Sequence, residues 1–103
     1  MARMLATAGD GDAAIARLSE LPLRGRGVIV GFDLPPADPA LPLTPLELEC
    51  RLVEIGFVEG AEVEVAHLGG LRGDPVGVRI DGRRLVALRR RDAACIRVGP
   101  AAP

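Results

Sequence analysis

The sequence of 103 residues predicts a mainly β domain, a small and partly open barrel of about five short strands. One helix is inserted after the first strand, and a short helix precedes it. Three observations carry this. Apolar residues alternate with polar ones in several short runs, turn residues punctuate those runs, and a single segment carries a full local helix signature. A parallel βαβ arrangement is excluded because only that one helix is long enough to cross over. The length suits one compact domain. It is placed at residues 21–98, with an N-terminal extension over 1–20 and a tail over 99–103.

Ile15, Leu18 and Leu21 recur at helical spacing behind Asp12, which predicts a short capped helix ending at Pro22. Val28, Val30 and Phe32 then alternate with Ile29 and Gly31 as a first strand. Pro35, Pro36, Pro39, Pro42 and Pro45 exclude a helix or sheet interior, so residues 35–45 form an exposed loop. Thr44-Pro45-Leu46-Glu47 is the clearest local signal. Thr44 suits the N-cap, Pro45 the first helical position, and Glu47 completes a capping box. The helix runs to Ile55 and leaves through Gly56 in a positive-φ conformation. Leu48, Leu52 and Ile55 form its apolar stripe with Val53 beside it, and Glu47 and Arg51 are spaced to pair.

Beyond Gly60 the pattern is that of strands. Val63 and Val65 alternate with Glu62 and Glu64, a half-buried strand. Residues 69–75 form a turn-rich connection. Val76, Val78 and Ile80 lead into Asp81-Gly82, the dipeptide of a type I′ hairpin, which sets Val78 opposite Leu85 and Val76 opposite Ala87. Arg90 to Ala94 makes one helical turn, and Ile96 and Val98 close the chain with a strand.

Composition narrows function. The chain lacks Trp, Tyr, Lys, Asn and Gln, and has one Ser (Ser19) and one His (His67). This excludes a Lys Schiff base, a Tyr acid and an amide-lined oxyanion hole, and points to a binding or regulatory domain rather than an enzyme. The net charge of −1 gives no uniform field for polyanions or anionic membranes. Charge is uneven, however. Residues 46–66 hold six Glu against Arg51, and residues 67–103 hold eight Arg against three Asp. Two segments lying side by side with partly cancelling fields explain this most simply, and an acidic face and a basic face meeting different partners is the alternative. Cys50 and Cys95 are too few for a disulfide framework and read as free thiols in a reducing compartment. No window is long and apolar enough to span a membrane.

The run from Arg51 to Val98 resembles the FeoA family of ferrous iron transport accessory proteins. Its carriers are Arg51 to Gly60 (RLVEIGFVEG), then Gly73-Asp74-Pro75, then Ala87-Leu88-Arg89 with Asp92-Ala93 and Ile96-Arg97-Val98. The order and spacing are specific together, and cover about half the chain. Leu23 to Phe32 fits the family's first strand more loosely. The resemblance implies an SH3-like barrel in which Gly60, Gly73, Asp74, Pro75 and Arg89 are structural. Asp74 is expected to cap its own turn, and Arg89 to reach an acidic partner such as the Glu-rich segment. Glu59 stands where the family commonly has Pro, and the 35–45 loop and N-terminal extension look longer than usual.

With only Phe32 and Phe57 as aromatics, the chain lacks the rings that dock proline-rich peptides or stack on single-stranded nucleic acid. Arg89-Arg90-Arg91 reads as a solvated corner. The resemblance implies a cytoplasmic, non-enzymatic protein acting with FeoB, the membrane ferrous iron transporter that carries a GTPase domain. The expected docking surface joins the helix edge to the turn after it, through Leu52, Gly56, Phe57 and Val58. No cofactor is expected. Cys50, His67 and Cys95 are the only weak metal candidates, and they lack a metal-ligand spacing. Two other readings remain: a free-standing SH3-like module regulating a metal-dependent repressor, and a weak iron-binding metallochaperone.

Overall fold

The computed structural model describes residues 15–101. Six strands form one antiparallel sheet: β1 (Ala16–Arg17), β2 (Arg26–Phe32), β3 (Glu62–Leu71), β4 (Asp74–Ile80), β5 (Arg84–Leu88) and β6 (Ile96–Pro100). Their spatial order is β1-β6-β2-β3-β4-β5, so β1 and β5 are the two edges of a partly open barrel. Helix α1 (Pro45–Ile55) lies between β2 and β3 in the chain, and the single turn α2 (Arg90–Ala93) links β5 to β6.

The sheet closes around alternating aliphatic residues. Ile29, Val63, Val65, Val76, Val78, Ile80, Leu88, Ile96 and Val98 all point inward. Leu48 and Leu52 of α1 and Phe57 cover them. Burying this set supplies the main driving force for folding.

Helix α1 forms where its local signals place it. Thr44 Oγ1 accepts from the Glu47 N–H at 3.1 Å, and Glu47 Oε1 accepts from the Thr44 N–H at 2.9 Å. Two of the helix's unpaired donors are thereby satisfied. Because Glu47 turns back to this cap, it makes no pair with Arg51.

Three expectations are corrected. Among the described residues, 16–20 form β1 and a 3₁₀ turn (Leu18–Glu20) where the N-terminal helix was expected, because Ala16 and Arg17 pair with Val98 and Arg97 of β6. The Asp12 cap lies outside the described residues. Leu18 is wholly buried and Gly99 and Pro100 extend β6, so both join the packed unit.

The second correction is register. Asp81 (φ 51°) and Gly82 (φ 73°) form the expected positive-φ pair, and the Arg83 N–H donates to the Ile80 carbonyl at 3.0 Å. Arg83 is nevertheless an extra residue, so Ile80 faces Arg84, Val78 faces Val86 and Val76 faces Leu88. Leu85 and Ala87, expected opposite Val78 and Val76, are exposed instead. A one-residue shift exchanges the two faces of a strand.

The third concerns Gly73-Asp74-Pro75. The turn residues are Arg72 and Gly73, and Asp74 already opens β4. Its Oδ1 accepts from the Arg90 N–H at 2.9 Å, so it caps α2 rather than its own turn.

Candidate interaction surface

The expected docking residues separate into two sets. Leu52 and Phe57 are 1% and 0% exposed, so they fasten α1 to the barrel and offer no contact surface. Gly56 explains why. At φ 126° it ends the helix, its N–H donating to the carbonyls of Leu52 and Val53. A Cβ there would sit 3.4 Å from Arg84 Nη1 and 3.5 Å from Ile80 Cδ1, in a conformation side chains resist. The chain then turns Phe57 into the core and leaves Val58 outside at 42% exposure.

Leu46 (70% exposed) and Val53 (41%) were not anticipated as surface residues. With exposed Cys50 they stand at i, i+4 and i+7, one stripe on the side of α1 away from Leu48 and Leu52. That second periodicity is present in the sequence, but the stronger Leu48-Leu52-Ile55 stripe masks it. Glu49 and Glu54 flank it, so the surface is aliphatic with an acidic border.

The other motif residues hold the scaffold. The Gly60 N–H donates to the Ile29 carbonyl at 2.9 Å, tying the end of the α1 exit to β2. Arg89 adopts extended geometry before α2, and its carbonyl accepts from Asp92 and Ala93. The Glu-rich strand meets Arg79 rather than Arg89: Glu64 and Arg79 lie opposite each other on β3 and β4, 3.8 Å apart. The acidic and basic segments are therefore adjacent at this point.

The three metal candidates lie on different elements. Cys50 is exposed on α1 and His67 on β3. Cys95 is buried just before β6, not within it, its Sγ donating to the Arg91 carbonyl at 3.5 Å. Burial, and then the nearby Asp92 and Asp33 carboxylates, push its thiol pKa up, against an opposing effect of Arg17. Among the described residues, no three His, Cys, Asp or Glu side chains gather as a metal site would require.

The FeoA domain family model matches residues 16–100. The chain belongs to the FeoA family. The FeoA protein of Chlorobium tepidum is 32% identical, with a TM-score of 0.63 over 84% of this chain and 70% of that one. The zinc-complexed FeoA of Stenotrophomonas maltophilia, described as a procaryotic SH3 domain protein, is 31% identical. Its TM-score is 0.59 over 82% of this chain and 98% of that one. A manganese-dependent transcriptional repressor shares the fold at 17% identity and a TM-score of 0.65, over 84% of this chain and 42% of the repressor. No curated protein matches the sequence. The FeoA assignment links the chain to ferrous iron transport in an SH3-like barrel, as the Arg51–Val98 motifs implied. No described helix is long and apolar enough to cross a membrane.

Proposed function

We propose that the chain is a non-enzymatic accessory of ferrous iron transport that docks on the cytoplasmic GTPase-bearing part of a FeoB-type transporter. The FeoA family match over residues 16–100 carries this reading. The S. maltophilia relative, put forward as a bacterial ferrous iron transport activating factor, supports it. The docking surface is the exposed stripe Leu46-Cys50-Val53 together with Val58, the accessible remainder of the expected Leu52-Gly56-Phe57-Val58 patch. An aliphatic patch with an acidic border fits the anatomy of a protein interface, an apolar centre inside a polar rim. In this reading the chain holds no cofactor of its own, and iron is the transporter's cargo.

A pull-down from solubilised membranes tests this, with Val53→Arg and Val58→Glu as surface variants. Recovery of a GTPase-bearing transporter by the native chain, and its loss with either folded variant, supports the proposal. Equal recovery by all three places docking elsewhere. Recovery of a metal-dependent repressor instead favours regulation of such a repressor, a reading that rests on shared fold alone. A metallochaperone role requires iron retained after desalting, and lost when Cys50, His67 and Cys95 are replaced together.

A further inference from the structure

We infer that β5 is a second docking site, which takes up an extended acidic polypeptide segment as a seventh strand of the sheet. This does not depend on the α1 surface. β5 is the edge of the sheet, hydrogen-bonded along one side to β4. Among the described residues, no other backbone hydrogen bond reaches residues 84–88. Its outer edge thus offers a row of N–H and C=O groups to an incoming strand. Leu85, 59% exposed, and Ala87 lie on its outward face.

Charge selects the occupant. Residues 82–91 contain five Arg and no acidic residue. The Arg84 guanidinium lies over Gly56, and the Arg90 guanidinium donates to the Arg72 carbonyl at 3.4 Å. Arg83, Arg89 and Arg91 remain exposed, Arg83 before the strand and the others after it. Asp81 accepts from the Glu62 N–H and Asp74 from the Arg90 N–H, and among the described residues no salt bridge joins Arg83, Arg89 or Arg91 to a carboxylate. A second copy is a poor partner, because antiparallel pairing centred on Val86 would set Arg83 against Arg89. An acidic strand satisfies both ends. The matching segment spans about seven residues, acidic at each end, with small apolar residues between to cover Leu85 and Ala87.

The probe is the capped peptide Glu-Thr-Val-Thr-Val-Thr-Glu, titrated into the full chain and followed by amide NMR and hydrogen exchange. Binding should slow exchange and shift resonances within residues 84–88. The same peptide with Lys at both ends should bind about tenfold more weakly. Exchanging Arg83 and Arg89 for Glu, both exposed, should reverse that preference, an outcome that loss of folding cannot produce. Alternate N-methylation of the peptide should abolish binding, since it removes the backbone donors. The inference is overturned if the N-methylated peptide binds equally well, or if the shifts fall on α1. It is also overturned if an oligouridine produces the same β5 protection, which would make the site a general polyanion surface. Concentration-dependent β5 protection in the free chain would make the occupant a second copy and overturn it likewise.

Discussion

Asp74 Oδ1 accepts a hydrogen bond from the Arg90 backbone N–H at 2.9 Å, joining the first residue of β4 to the first residue of α2 across sixteen positions. This contact gives the Gly-Asp-Pro motif a tertiary purpose. It fixes where the chain turns from β5 toward β6, and so helps hold the barrel's closing strand. Asp74→Ala should lower unfolding free energy by about 1 kcal/mol, the ordinary cost of a lost cap, with Asp74→Asn losing less. Urea unfolding monitored by circular dichroism measures both.

Leu52 and Val53 are neighbours with opposite roles. Leu52→Ala removes a buried side chain from between α1 and the sheet, and should cost about 3 kcal/mol. Val53→Ser, on the exposed side, should stay within about 0.5 kcal/mol of the native chain. Equal losses at the two positions would mean that Val53 is covered.

Gly56 tolerates no Cβ without strain, since its φ of 126° is one that side chains rarely adopt. Gly56→Ala should destabilise by about 1–2 kcal/mol. A Cβ there meets Ile80 only at ordinary contact distance, so the strain lies in the backbone and the loss should fall on the α1 exit. Hydrogen exchange should show it first at the Gly56 and Phe57 amides, both of which donate to Leu52.

The two thiols should differ in reactivity. Cys50 is exposed and should label rapidly with a thiol reagent at neutral pH, while Cys95 is buried and its thiol is held protonated. The folded state then keeps the Cys95 proton at pH values where the unfolded chain has released it. Stability from this source is fully present below the usual thiol pKa and is lost as pH rises above it. Alkaline denaturation of Cys95→Ala should show a shallower fall than the native chain.

Helix α1 was legible from Thr44 to Gly56 because each of its signals is local. The cap, the proline and the terminating glycine act within a few residues of one another, so no distant contact was needed to read them. The β4–β5 register was not legible. The sequence 81–82 names the turn type, but the Asp81 N–H also donates to the Glu62 carbonyl, and its carboxylate accepts from the Glu62 N–H. The loop is thus pinned by β3, a third strand that no hairpin rule includes. The N-terminal segment differs for a related reason: its helical spacing is real, but pairing with the edge of β6 replaces it.

On the candidate surface, the sequence named Leu52 and Phe57, two residues that the structure buries. Leu52 and Phe57 look available in a helix and turn considered alone. Packed on the barrel they are core, and Leu46, Val53 and Val58 take the outside. The family, the capped helix, the exit glycine and the absence of aromatic docking rings all follow from residue type and near-neighbour spacing. The tertiary structure alone decided which apolar residues face water, which strand edge stays open, and what Asp74 caps. Those outcomes depend on groups brought together from distant parts of the chain, where packing and strand pairing overrule local preference.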